Sequence, residues 1–133
     1  MVNVHSGVVI TKYKNKTAST AIAMGAMLEI SSGYVTPITS TSALVYGSSQ
    51  VTVTSASDDY ASTTRIPITV PTSRTMFRMT VTGTFVATQE GDLFDASDSV
   101  TVDADASTYD IFLCEKYISA TEGIFSIPAP LRQ

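Results

Sequence analysis

TMFRMTVTGTFVA, residues 75–87, carries the decisive pattern. Phe77, Met79, Val81 and Phe85 share one face, and Arg78, Thr80, Thr82 and Thr84 share the other. Strict alternation of this kind belongs to a strand with one face in a core and one in water. Gly83 marks a bend near its end. Downstream, YDIFLCEKYIS (109–119) is apolar on both faces and predicts a central strand. A turn at ATEG then leads to IFSIPA, a last strand ended by Pro128 and Pro130.

Upstream, RIPITVP (65–71) alternates Ile66, Ile68 and Val70 with Arg65, Pro67 and Thr69, and its two prolines predict an edge strand. SASDDYAST (55–63) is a polar loop. ALVYGSSQVTVTS (43–55) reads as strand, a kink or bulge at Gly47, then strand. Ser32-Gly33 centres a hairpin over 27–38, with Pro37 at an edge or strand end. TASTAIAMGAMLEI (17–30) predicts a loop or one helical turn, interrupted at Gly25, before a strand MLEI. Residues 1–16 read as an N-terminal arm or first strand, in which Val8, Ile10 and Lys12 alternate with Val9, Thr11 and Tyr13. Residues 17–133 form the remaining single domain. The expected fold is all-β, one small β-barrel or β-sandwich of about nine to ten short strands.

Composition agrees with that class. Thr, Val and Ile suit a pleated surface, and leucine occurs only at Leu28, Leu44, Leu93, Leu113 and Leu131. The net charge is −4, with Lys12, Lys14 and Lys16 near the front and most acids behind them. An acidic body repels phosphate backbones, which disfavours nucleic acid as a partner. No apolar run has the length of a membrane span, so no membrane partner is expected. The N-terminus lacks the order of a signal peptide and predicts synthesis in a cytoplasm.

EGDLFDASDSVTVDADAST (90–108) concentrates Glu90, Asp92, Asp95, Asp98, Asp103 and Asp105. Calcium uses clustered oxygens, but the EF-hand order and the glycine-rich nonapeptide are both missing. Paired carboxylates can hydrolyse glycosides, yet the chain has no Trp for a sugar platform. Loop and turn chemistry explains the run better: Asp bonds to nearby backbone donors, and Leu93 and Phe94 anchor the loop. Asp98 or Ser99 then leads into a strand VTV. Cys114 is the only cysteine and reads as a buried, inert thiol. His5 is the only histidine and lies in the arm, so no catalytic triad is expected. GxGxxG, P-loop, CxxC and HExxH motifs are absent. Neither a catalytic residue, nor a metal ligand, nor a cofactor is expected. Lys12, Lys14 and Lys16 share one strand face, read as a solvated face or a contact for an acidic protein surface.

The order of segments resembles a known family. KNKTASTAIAMGAMLEISSGYVTPIT, TRIPITVPTSRTMFRMTVTGTF and, most specifically, GDLFD, VTV and KYISATEGIFSI carry the likeness over residues 10–128. Together they are similar to the small structural proteins of tailed bacteriophages that decorate or cement the capsid shell. The resemblance implies a non-enzymatic virion protein on the capsid surface. It would bridge subunits of the major capsid protein as a homo-oligomer, with a trimer as the assembly. Contacts are expected from the arm, at Val2, Val4, His5, Lys12 and Lys14, and from a rim near Arg65, Arg74 and Arg78. Rival readings are another self-assembling virion component, such as a tail-tube, head-completion or fibre-base protein, and a carbohydrate-binding β module.

Overall fold

The computed structural model describes residues 3–6, 9–72 and 74–128. These residues form β1 (Asn3–Ser6), β2 (Val9–Asn15), β3 (Met27–Ser31), β4 (Tyr34–Pro37), β5 (Gly47–Ser49) and β6 (Arg65–Pro71). They continue as β7 (Met76–Thr82), β8 (Leu93–Asp98), β9 (Thr101–Asp103), β10 (Phe112–Ser119) and β11 (Glu122–Ser126). A single 3-10 turn, Ala87–Gln89, is the one helical piece among the described residues. The fold is all-β.

One sheet runs β1-β7-β11-β10-β8-β9, and β9 also pairs in parallel with β7. That second pairing closes β7, β11, β10, β8 and β9 into a ring. The other sheet runs β2-β6-β5-β3-β4. Its ends are drawn together by a parallel bridge between Lys16 and Val35, where the Thr17 amide donates to the Val35 carbonyl at 3.0 Å. That bridge covers the β2 side only at its C-terminal end.

There are two cores, and the first draws on both sheets, since Met27 of β3 packs in it. Phe77, Met79 and Val81 of β7 point into the first, with Phe85, Phe94, Val102, Phe112, Cys114 and Phe125. Ile22, Leu28, Val35, Tyr46, Ile66, Ile68 and Val70 fill the second. The turn between β8 and β9 joins them: Val100 packs against both cores, and the Met27 amide donates to the Ser99 carbonyl at 2.6 Å.

The alternating stretch 75–87 behaves as its pattern requires, with Phe77, Met79, Val81 and Phe85 buried and Arg78, Thr80 and Thr82 exposed. The hairpin over 27–38 also forms. Ser32 and Gly33 both have positive φ, +52° and +85°, the two-residue turn whose twist suits an antiparallel pair. The β10–β11 hairpin turns at Ala120-Thr121 as expected. β10 is central in its sheet, though only Phe112 and Cys114 along it are buried.

Three expectations are corrected. First, β6 is an interior strand between β2 and β5, not an edge. The Pro67 carbonyl accepts the Gln50 amide at 3.1 Å, so Pro67 faces β5. Pro71 faces the same way by the two-residue period. β5 is only three residues long and meets Ile68 and Thr69, so both missing N–H groups fall beyond its ends. Second, no strand continues after Gly47–Ser49. Ser49 Oγ donates to the Val51 carbonyl at 2.7 Å and accepts the Val51 amide at 3.2 Å. This local pairing replaces a ladder, and only Val53 bridges onward, to Ile22. Gly47 is a point of close approach, since a Cβ there would lie 2.5 Å from the Thr69 carbonyl oxygen. Third, residues 93–98 of the acidic run are a strand, not a loop. Phe94 and Ala96 enter the core, while Asp95 on the opposite face is covered by the loop that follows β9.

The N-terminal segment does not hang free where it is described. β1 pairs with β7 and β2 with β6, so the chain places one strand in each sheet before residue 16.

Candidate functional site

Five of the six acids of residues 90–108 accept backbone amides. Asp95 is 3% exposed. Its Oδ1 accepts the amides of Tyr109 at 2.6 Å and Asp110 at 2.7 Å, and its Oδ2 accepts that of Thr108 at 2.9 Å. Asp98 accepts the Val100 amide at 2.9 Å, which shapes the β8–β9 turn. Asp103 accepts the Asp105 amide at 2.9 Å, and Asp105 accepts that of Thr84 at 3.1 Å, beside the bend at Gly83. Glu90 accepts the Tyr117 amide at 2.7 Å. These contacts follow the turn chemistry read from the sequence, with carboxylates ordering nearby backbone.

A shallow, open groove of about 520 Å³ lies along this region, lined among others by Asp92, Leu93, Asp105, Ser107 and Asp110. Asp110 Oδ1 is buried there without a hydrogen-bond partner. Among the described residues, no group of three His, Cys, Asp or Glu side chains is placed to hold a metal ion. No helix among them is long and apolar enough to cross a membrane.

Cys114 is 1% exposed, inside the first core. Burial pushes its thiol up from the ordinary 9.0 to about 11, and the negative charge of Glu90 adds to the shift. A thiol this well protonated is a poor nucleophile. Ellman's reagent at pH 8 is expected to leave the native protein unlabelled and to titrate one thiol after unfolding. Because the folded value lies above the unfolded one, this group's contribution to stability is complete below pH 9. It disappears as pH rises through 11. Denaturation curves across that range should therefore fall more steeply for the native sequence than for Cys114→Ala; parallel curves would refute the assignment.

The basic candidates separate into two places. Lys12, Lys14 and Arg65 lie on the paired strands β2 and β6. Ile10, Lys12 and Lys14 stand opposite Val70, Ile68 and Ile66, so they continue the inward-facing row of β6. The lysine row is thus not a simple solvated face. Lys12 is exposed, Lys14 is half-buried with its Nζ 5.9 Å from the centre of the Tyr46 ring, and Lys16 is fully buried. Lys16 Nζ donates to the carbonyls of Tyr60 at 3.0 Å and Ser62 at 2.5 Å, anchoring the polar loop 55–63. Arg65 reaches the Tyr13 carbonyl at 3.0 Å.

Val4 and Arg78 belong to the other sheet, where Asn3 stands opposite Arg78 and Val4 opposite Phe77. Val4 is exposed. Arg78 holds Glu122 in a two-pronged ion pair, Nε to Oε2 at 2.9 Å and Nη2 to Oε1 at 2.7 Å. The hydrogen bonds from Arg78 hold the Glu122 carboxyl below its ordinary range. Arg74 is exposed in the turn between β6 and β7. Val2 lies outside the described residues, as does the side chain of His5. The expected arm is therefore split between the two sheets, Val4 on β1 and Lys12 and Lys14 on β2, and so is the expected rim, Arg65 on β6 and Arg78 on β7.

Sequence reasoning missed Asp95 as a hub and Lys16 as an anchor. Neither carries a local motif, because their partners lie 13 to 15 and 44 to 46 residues away.

The fold and the site together define a small, closed all-β protein whose polar side chains chiefly order its own backbone. Comparison with protein-family models and with curated proteins finds no match for this chain.

Proposed function

We propose that this chain is a non-enzymatic structural protein of a phage virion. It binds the outside of the capsid and stabilises the shell by bridging capsid subunits, as a homo-oligomer and specifically a trimer. One observation carries the reading. GDLFD, VTV and KYISATEGIFSI, the most specific part of the family resemblance, fall on β8, β9 and the β10–β11 hairpin. They are consecutive walls of one closed ring, and Asp95 within them binds three backbone amides. Signatures built from turns and strands suit a protein whose task is to hold shape and present surfaces. The margins at Val4 and Arg78, and at Lys12, Lys14 and Arg65, are the proposed capsid contacts, with Arg74 between them. Modest contacts from each copy of an oligomer sum to high avidity on a lattice.

The test is co-sedimentation of the purified protein with phage heads stripped of their minor proteins. Saturable binding at a fixed ratio per capsid subunit is the expected result. If heads carry none down and the protein builds rings or tubes alone, it belongs to a tail or connector instead.

A further inference from the structure

β2 has one partner strand, β6, and its other side is an open edge among the described residues. The ladder determines which backbone groups face outward. Pro67 faces β5, so its register partner Tyr13 faces away from β6. Val9 and Thr11 share that direction by the two-residue period. Thr17, also in phase, donates from this side to Val35 of β4. The turn at Ser32-Gly33 ends β4 at Tyr34, so β4 covers the edge near Thr17 and leaves residues 9–13 uncovered.

This edge is basic. Lys12, Lys14 and Arg65 line it, and neither β2 nor β6 contains an acidic residue. Arg65 already bonds an outward carbonyl, that of Tyr13. A second copy of the chain is a poor occupant. Any two-fold pairing centred between Thr11 and Tyr13 sets lysines of the two copies opposite or diagonal to each other, where like charges repel.

We propose that the β2 edge accepts one extended acidic segment of a partner protein, which adds a strand beside residues 9–13 and sets its carboxylates against the lysine row of Lys12 and Lys14. The backbone supplies affinity and the cations select the sequence. The proposal stands whether or not the partner is a capsid subunit.

A displayed library of random dodecapeptides, selected on the immobilised full chain, tests it. The recovered peptides are expected to carry Asp or Glu at alternate positions. They should slow amide exchange at Thr11 and Tyr13, and bind Lys12→Glu about tenfold more weakly. Thr11→Pro removes one outward N–H without touching the β6 ladder and should weaken binding about fivefold. Lys12 is exposed, so Lys12→Glu reports even if the proline variant folds poorly. The proposal is overturned if no peptide is enriched, if recovered peptides lack acidic residues, or if Lys12→Glu binds them unchanged.

Discussion

Asp95→Ala is expected to destabilise the protein by about 3–5 kcal/mol, the larger of the two strongest effects foreseen. Three amides converge on its carboxylate at 2.6 to 2.9 Å, and the side chain is 3% exposed. Hydrogen bonds to a charged acceptor contribute about 1.5–3 kcal/mol each, so a plain sum exceeds this range. The lower figure is expected because the loop 104–110 lies beside an open groove, where water can reach donors released by the mutation. The same loop contains Asp110 at φ +55°, a conformation that a non-glycine residue holds only when neighbours impose it. Asp95→Asn keeps the shape but turns an NH2 group toward at least one of the amides, for an intermediate loss of about 2–3 kcal/mol. Urea unfolding checks both. The midpoint should fall in the order native, Asn, Ala, and a loss under about 1 kcal/mol for Ala would remove Asp95 from its central place.

Lys16→Ala should destabilise by about 3–4 kcal/mol. The ammonium sits in a fully buried side chain and satisfies two carbonyls from the loop 55–63. Removing it leaves both acceptors without that donor and opens a void where the stem packed. Lys16→Met retains most of the stem and isolates the polar part, with an expected loss of about 2 kcal/mol. The readout besides stability is local. Amide exchange and proteolysis should rise over 55–63 and stay unchanged in the β8–β9 region. Uniform change across both regions would mean that Lys16 acts as general filling rather than as an anchor for this loop.

Much of the architecture was legible because it was local. The alternation over 75–87 needs no partner strand to be read, and Ser32-Gly33 and ATEG announce their hairpins within a few residues. What escaped depended on partners elsewhere in the chain. Pro67 and Pro71 signal an edge unless the neighbouring strand is known to be as short as β5. Asp92, Asp95 and Asp98 signal a loop unless Phe94 and Ala96 are seen to have a core to enter. The lysine row has the same period whether it faces water or continues Ile66, Ile68 and Val70 inward, and only the register with β6 decides. The candidate contact residues were chosen as an arm and a rim. They divide between two margins because β1 and β2, adjacent in sequence, enter different sheets.

The order of synthesis gives that division a further meaning. Asn3 pairs with Arg78 and Asn15 with Arg65, so β1 and β2 leave a ribosome well before the strands they pair with. Contacts this distant along the chain make for slow folding, while the β3–β4 hairpin can form early. During the wait, a nascent segment rich in Val, with Ile10 and Tyr13, would be prone to pair with its copies. Lys12, Lys14 and Lys16, interleaved with Thr11, Tyr13 and Asn15, place a repelling charge at every second position. The same residues that later line an edge, a ring and a loop therefore guard the unfinished chain against its neighbours.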